Sequence, residues 1–179
     1  MIVTPTKLES CVLIEPRVFQ DDRGFFLETY NANRYREAGV PLTFVQDNHS
    51  CSKLHTLRGL HYQIDRPQGK LVWAIRGEIL DVAVDIRRSS PTFGQWYSVI
   101  LSSENRRQLY VPPGFAHGFC ALSEGTEIIY KCTDVYSPAG ERTIAWNDPT
   151  LAIEWPVETP LLSPKDSEGV LFADAELFD

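Results

Sequence analysis

The sequence has no long apolar stretch and no surplus of basic residues, and both absences restrict what the protein can be. No run approaches the roughly 20 apolar residues that cross a bilayer, which predicts no membrane partner. Residues 1–5 lack a basic region followed by an apolar run, which predicts no secretory signal and a cytoplasmic location. A formal net charge of −7 makes nucleic acids and anionic membranes poor partners, because both bind basic surfaces. This charge does not exclude a small anionic ligand, because a few convergent Arg and Lys side chains can hold a phosphate.

The cysteines lack the spacing of a redox or metal motif. Cys11, Cys51, Cys120 and Cys132 form no C-x-x-C pair, and an intracellular chain keeps its thiols reduced. We interpret all four as small, buried apolar residues.

Short strand-like runs dominate the 179 residues and predict one mainly β domain spanning 1–179. In the run 79–86, Leu80, Val82, Val84 and Ile86 share one face, a period of two that indicates a strand. Turn residues separate this run from similar ones at 11–15, 25–30, 71–76, 96–101, 107–111, 115–122 and 126–133. Many short strands at regular spacing are typical of a jelly roll or sandwich.

Helical signals are few. Asn31 can cap a helix over Ala32–Ala38, and Gly39 can end it. The region from Asn147 onward is rich in proline and acidic residues, so we expect short helical turns and coil packed on the outside.

Two polar motifs lie close together in the first half of the chain. Residues 57–63 place a cation and an imidazole three positions apart, and Arg58 and His61 would point to opposite faces of a regular strand. We therefore expect a bend near Gly59 to bring them together. Lys70 begins an apolar strand, and by itself it is typical of a solvated lysine at a strand end.

Two further motifs follow in the second half. His117 comes after a rigid Pro-Pro-Gly turn, and Tyr130 alternates with apolar residues, so its ring should face inward. Each of these residues singly is explained by ordinary packing. Their spacing alone predicts only a β-rich domain with a polar pocket.

The joint pattern is much more specific. The sequences are QDNHS (46–50), LRGLHYQ (57–63), QGKLV (68–72), DVAVDIR (81–87), SPTFG (90–94), PGFAHGF (113–119), YKCT (130–133), WNDP (146–149), IEWP (153–156) and LSPKD (162–166). In this order, over nearly the whole chain, they resemble the dTDP-4-dehydrorhamnose 3,5-epimerase family. The resemblance implies a cupin-type jelly roll, a double-stranded β-helix barrel with a few short peripheral helices. It also implies a homodimer without cofactor or metal.

The resemblance also implies a substrate and catalytic roles. The substrate is dTDP-4-dehydro-6-deoxy-D-glucose, which the family converts to dTDP-4-dehydro-L-rhamnose for L-rhamnose biosynthesis. By position, His61 takes the proton and Asp166 orients and charges it. Tyr130 returns a proton from the opposite face, and Lys70 stabilises the enolate oxygen.

Binding roles carry over by position in the same way. The matching positions are Arg23, Glu28, Gln46, Asn48, Arg58, Lys70, His117, Tyr136, Glu141 and Lys165. The basic residues would hold the diphosphate, and Tyr136 would stack on the thymine. The resemblance allows Arg23 and Glu28 to come from the partner subunit.

A metal-dependent cupin is the main competing hypothesis from another class. Residues 112–117 resemble the second metal motif of cupins, but the first motif is incomplete. Gln63 stands where a second histidine is required, and Lys70 stands where a glutamate ligand is expected. Two of four ligands are missing, which favours acid–base chemistry over metal chemistry.

Two more hypotheses involve the same ligand. A non-catalytic sugar-nucleotide binder would not need His61, Lys70 and Tyr130 together. A mono-epimerase or ketoisomerase acting on the same 4-keto sugar would share most of the site, and its outcome depends on placement to within about an ångström. Tyr130 and the complete motif set favour the double epimerase.

Overall fold

The computed structural model describes residues 1–40 and 43–179. The strands are β1 (Ile2–Pro5), β2 (Val12–Glu15), β3 (Val18–Asp21), β4 (Gly24–Leu27), β5 (Gln46–Ser52), β6 (Leu57–Gln63), β7 (Lys70–Arg76), β8 (Glu78–Asp85), β9 (Trp96–Ser102), β10 (Gln108–Val111), β11 (Phe115–Ala121), β12 (Thr126–Cys132) and β13 (Glu141–Thr143). The helices are α1 (Ala32–Glu37) and α2 (Pro164–Ser167), and a 3₁₀ turn covers Phe172–Asp174.

Two antiparallel sheets form the body of the molecule. One has the order β1-β2-β10-β7-β12-β5 and the other β13-β6-β11-β8-β9, while β3 and β4 form a separate hairpin. Val72 and Ile128 from the first sheet share one buried cluster with Ala83, Phe115 and Phe119 from the second. Each such large apolar side chain contributes about 1.5–3 kcal/mol when it leaves water. The mainly β jelly-roll prediction is confirmed, although within the described residues the ladders form two facing sheets rather than one closed barrel.

Strand β8 is covered on both faces, which explains why nearly all of its residues are buried. Ile79 and Ala83 belong to the core between the sheets. Val82 and Val84 face the other way and pack against the C-terminal segment, including Phe172 of the 3₁₀ turn. The predicted outer layer of coil and short helical turns after Asn147 is therefore confirmed, and it buries a second apolar face.

The predicted helix is also confirmed, with an end one residue earlier. Asn31 adopts an extended backbone, and its side-chain oxygen accepts a hydrogen bond from the Arg34 N–H at 3.2 Å. Ala38 is the C-cap, and Gly39 follows with φ +87°, a conformation that glycine adopts without steric cost. Within the described residues no helix is long and apolar enough to cross a membrane.

Strand β5 was not predicted, because its sequence QDNHSCS has no apolar period. It forms through a continuous ladder with β12, from Gln46 opposite Cys132 to Ser52 opposite Thr126. Its polar side chains alternate between a half-buried inner face and an exposed outer face. Cys51 lies on the outer face, so the prediction that all four cysteines are buried is wrong at this position. The other three are buried as predicted.

Candidate active site

A pocket of 390 Å³ opens between the two sheets, and most of the predicted site residues line it. Polar side chains predominate on its walls, which is unusual for the interior of a sandwich, and such groups can fix the orientation of a bound ligand. The lining residues are Gln46, Asn48, Ser50, Arg58, His61, Tyr62, Gln63, Gln68, Lys70, His117, Phe119, Ile128, Tyr130, Tyr136, Glu141 and Lys165.

A bulge in β6 brings Arg58 and His61 to the same pocket. The ladder with β11 pairs His61 with His117 and Arg58 with Phe119, so the register shifts between these pairs. Gly59 lies in the bulge with φ +134°, and a Cβ there would lie 2.5 Å from the Cα atom of Gly118. The predicted bend at Gly59 is confirmed, and the close approach of two backbones requires glycine.

His61 is paired with a carboxylate from the far end of the chain. Its Nε2 lies 2.5 Å from Oδ1 of Asp166, which is 3% exposed and belongs to α2. The Ser163 hydroxyl donates to Asp166 Oδ2 at 2.6 Å, and the Gly59 N–H donates to Oδ1 at 3.2 Å. These three donors fix the carboxylate, which in turn fixes the orientation of the imidazole.

The charges of this pair are set by burial and hydrogen bonding. Burial acts to raise the pKa of Asp166, but hydrogen bonds from His61 and Ser163 outweigh it and lower that pKa to about 2. Burial lowers the pKa of His61, and the hydrogen bond to Asp166 opposes this only in part. At neutral pH the carboxylate is therefore ionised and accepts the Nε2–H of a neutral imidazole. This tautomer leaves the lone pair on Nδ1.

Lys70 is buried at the start of β7. It is 9% exposed, so the interpretation as a solvated lysine at a strand end is wrong. Burial lowers the pKa of its ammonium, while the charges of Cys132 and Asp81 oppose the shift. A cation held in a desolvated pocket wall stabilises nearby negative charge much more strongly than one in water.

Tyr130 is half-buried and reaches the pocket from β12, as the alternation in the sequence predicted. Burial raises the pKa of its phenol, and the Cys132 thiol adds to this shift. The hydroxyl therefore stays protonated at neutral pH and can donate a proton or a hydrogen bond.

His117 faces His61 across the β6–β11 ladder and has its own carboxylate partner. Its Nε2 lies 2.8 Å from Oδ1 of Asp81, which is completely buried. The other oxygen of Asp81 has no hydrogen-bond partner among the described residues. Sequence reasoning missed Asp81. This residue lies in the strand-like run 79–86, and a carboxylate buried in such a strand needs a partner, so its position could have indicated a functional role.

A hydrogen-bonded network forms the mouth of the pocket. The Tyr136 hydroxyl donates a hydrogen bond to Glu141 Oε2 at 2.9 Å, and the Lys165 ammonium donates one to Glu141 Oε1 at 2.8 Å. Burial acts to raise the pKa of Glu141, but the hydrogen bonds from Lys165 and Tyr136 lower it overall. Tyr136 is 52% exposed, so its ring is open to a ligand that enters here.

Comparison with known proteins identifies the family. The model of the dTDP-4-dehydrorhamnose 3,5-epimerase family matches residues 5–174. The chain belongs to this family. It is 58% identical over 180 residues to a dTDP-4-dehydrorhamnose 3,5-epimerase from Pseudomonas aeruginosa, with 99% of each chain covered.

Members of the family are isomerases, and two further relatives outline its range. A dTDP-6-deoxy-D-glucose-3,5-epimerase from Legionella pneumophila, solved in complex with dTDP-4-keto-L-rhamnose, superposes with a TM-score of 0.95 at 51% identity. The match covers 98% of this chain and 94% of that one. A dTDP-4-dehydrorhamnose 3-epimerase from Streptomyces niveus is 42% identical over 178 residues, which are 98% of this chain and 86% of the relative.

Two residues that the resemblance predicts as substrate contacts, Arg23 and Glu28, lie outside the pocket of their own chain. Arg23 is at the turn of the β3–β4 hairpin, where it pairs with Asp21 at 2.6 Å. Glu28 pairs with Arg34 at 3.0 Å beside α1. Neither lines the pocket of the single chain, and both remain predictions.

Two of the four metal-ligand positions of the cupin motif carry groups unsuited to a cation. Among residues 1–40 and 43–179, no cluster of three His, Cys, Asp or Glu side chains has the spacing of a metal site. Lys70 places an ammonium in the pocket, and the amide of Gln63 is engaged by backbone groups. These contacts support the family assignment over a metal-dependent cupin.

Proposed function

We propose that the protein inverts C3 and C5 of dTDP-4-dehydro-6-deoxy-D-glucose and forms dTDP-4-dehydro-L-rhamnose. The observation that carries this proposal is the oriented His61–Asp166 pair in a pocket that also contains Lys70 and Tyr130. Both carbons flank the C4 ketone, so loss of either proton gives an enolate. Inversion then needs a base on one face of the sugar and an acid on the other.

His61 is the base of this reaction. Its neutral imidazole accepts the proton from C3 or C5, and the ionised Asp166 stabilises the imidazolium that forms. Three hydrogen-bond donors already hold Asp166, so the pair needs little reorganisation in the transition state.

Lys70 and Tyr130 complete the reaction from other walls of the pocket. The Lys70 ammonium stabilises the negative charge that develops on the C4 oxygen, an electrostatic effect that is strong in a desolvated site. Tyr130, whose phenol is protonated at neutral pH, then gives its proton to the carbon from the face opposite His61.

The nucleotide binds at the mouth of the pocket and along the wall next to the mouth. Arg58 and Lys165 supply positive charge for the diphosphate, which reconciles an anionic ligand with a chain of net charge −7. Tyr136 presents its exposed ring to the thymine. Gln46, Asn48, His117 and Glu141 contact the remaining polar groups of the ligand.

A cytoplasmic homodimer is the proposed working form. The β3–β4 hairpin exposes Phe19, Phe25 and Phe26, which are 51%, 55% and 68% accessible in the single chain. Such an apolar surface favours contact with a second copy. In that dimer, Arg23 and Glu28 of the partner subunit reach the substrate.

The deciding experiment is incubation of the 4-keto nucleotide sugar in deuterated water, followed by NMR. Deuterium and inverted configuration at both C3 and C5 support the double epimerase. Inversion at C3 alone would instead assign the 3-epimerase activity for which the 42% identical Streptomyces relative is named. No exchange at either carbon would contradict the proposal.

Tyr130→Phe should uncouple proton exchange from inversion. His61 can still remove the proton and return deuterium to the same face, while the opposite face lacks its acid. We expect net epimerisation to fall about 100-fold, with deuterium exchange within about threefold of the wild-type rate at the first carbon. The same NMR assay measures both rates.

Tyr97→Phe is the control, because Tyr97 is partly buried beside the core on β9 and does not line the pocket. It should leave both rates unchanged. Equal loss of exchange and inversion in Tyr130→Phe would argue against separate roles for base and acid.

The pH dependence of kcat/KM should reflect the lowered pKa of His61. Protonated imidazole cannot accept a proton, so activity falls in acid with a midpoint below about 6.5. Asp166→Asn removes the hydrogen-bonding carboxylate that raises this pKa. We expect that variant to be slower and its acid limb to move to lower pH. Profiles of kcat/KM measured between pH 4.5 and 8 test this. An acid limb that moved to higher pH in Asp166→Asn would contradict the assignment of His61 as the base.

A further inference from the structure

Three glutamines hold one short backbone segment at the mouth of the pocket. The segment 134–137 connects β12 to β13 and carries Tyr136. Gln68 Nε2 donates to the Asp134 carbonyl at 2.8 Å, and Gln63 Nε2 donates to the Val135 carbonyl at 3.2 Å. Gln46 Oε1 accepts from the Tyr136 N–H at 2.8 Å. Gln63 Oε1 accepts from the Ser137 N–H at 2.9 Å.

Gln63 makes the largest contribution to this arrangement. Its side chain is buried, with 4% of the residue exposed, and Nε2 also donates to the Arg66 carbonyl at 2.8 Å. A carboxamide has two N–H donors, and both are used by the carbonyls of Arg66 and Val135. Gln63 therefore lines the pocket without a free donor for a ligand, and its direct link to the mouth of the pocket is the backbone that it binds.

The position of Gln63 in β6 links this segment to the proton acceptor. His61 and Gln63 are two residues apart in one strand, so their side chains lie on the same face. At one end of this face lies His61, the proposed base, and at the other end Gln63 binds the backbone on both sides of Tyr136. A single stretch of strand thus determines the separation between the base and the exposed ring at the mouth.

We infer that Gln63 is a positioning residue that holds Tyr136 against the nucleobase and thereby strengthens binding of the nucleotide. The role of the Tyr136 ring rests on the proposed function, whereas the hold of Gln63 on residues 135–137 does not. Segments between strands are normally mobile on the protein surface. Here one backbone polar group in each of four successive residues is fixed by side chains of the pocket wall.

The first test compares dTDP binding by calorimetry in wild type, Gln63→Met and Asn105→Leu. Methionine keeps the length of glutamine and removes all three hydrogen bonds. Asn105 is the matched control, because its amide also makes three backbone hydrogen bonds, to Ile100, Ser102 and Arg107, away from the pocket. We expect Gln63→Met to weaken dTDP about tenfold, the scale of losing one base–aromatic stack. Asn105→Leu should bind as wild type does, and wild-type affinity in Gln63→Met would overturn the inference.

The second test repeats the substitution in a Tyr136→Ala background. If Gln63 acts through the ring, Gln63→Met should cost less than twofold further affinity there. A full tenfold loss in both backgrounds would show that Gln63 does not act through Tyr136, and would overturn the proposal. Steady-state kinetics add a second criterion: KM should rise about tenfold with kcat within about twofold. A loss confined to kcat would also overturn it.

Hydrogen exchange in the ligand-free protein separates this inference from the proposed function. The amide of Ser137, which donates directly to Gln63, should exchange at least tenfold faster in Gln63→Met than in wild type, whatever reaction the protein catalyses. Unchanged exchange would refute the hold itself, whereas inactive wild-type protein with faster exchange in the variant would refute only the proposed reaction. If Gln63→Met does not fold, Gln63→Leu serves instead, because leucine is close to glutamine in volume and also removes all three hydrogen bonds.

Discussion

Replacement of His61 by asparagine is expected to lower kcat about a thousandfold and to change the affinity for dTDP less than twofold. Asparagine is too short to replace the Nε2–H, but the Ser163 hydroxyl and the Gly59 N–H still donate to Asp166, so the carboxylate retains partners. Asparagine has no basic nitrogen, so no group remains to take the proton from C3 or C5. The side chains proposed to hold the nucleotide are other residues, and this substitution leaves them in place.

The measurements are turnover by NMR and dTDP binding by calorimetry on the same preparation. His49→Asn is the matched control, since His49 is exposed on β5 and pairs with Glu127 away from the pocket. It should keep wild-type turnover. If His61→Asn turned over at a rate near wild type, another group would have to be the base. If it lost dTDP binding as well, the substitution would have disturbed the pocket as a whole.

Lys70→Met is expected to lower kcat by about 100- to 1,000-fold while leaving the fold as stable as before or more stable. The enolate oxygen loses the charge that stabilises it, so the barrier rises. Folding, in contrast, no longer has to bury an ammonium, and methionine has a similar length and is apolar. Replacing a buried charge by an apolar residue of similar volume is often neutral or stabilising.

Opposite changes in activity and stability distinguish this prediction from general damage to the protein. Thermal unfolding and kcat are measured side by side in Lys70→Met and in Lys53→Met, an exposed position outside the pocket lining. Lys53→Met should match wild type in both. A lower Tm together with lower activity in Lys70→Met would indicate that the lysine has a structural role instead of an electrostatic one.

Local sequence patterns predict the parts of this fold that are determined by residues close together in the chain. Asn31 and Gly39 delimit α1 by capping chemistry that depends on neighbouring residues only. Gly59 marks the bulge of β6, because the alternation of a strand would otherwise separate Arg58 from His61. Both features can be inferred without knowledge of the tertiary structure.

Other features depend on contacts that no local pattern contains. Strand β5 has polar residues on its inner face because that face lines a pocket, so hydrophobic periodicity cannot detect it. The burial of Lys70 depends on the second sheet and on β12, which lie far away in sequence. The pairing of Asp81 with His117, and of Asp166 with His61, joins positions 36 and 105 residues apart. For Asp166, only the resemblance to a family supplied the connection.

The C-terminal segment that covers β8 also contains Asp166, and this couples assembly of the proposed catalytic pair to packing of the outer layer. Val82 and Val84 are sheltered only when residues that follow the last strand have docked on them. The same docking puts α2 beside β6, where Asp166 meets His61. Without this outer layer, His61 would lack its carboxylate partner and one apolar face of β8 would be exposed to water. Docking of the layer therefore orients the proposed base and removes a surface prone to aggregation in one step.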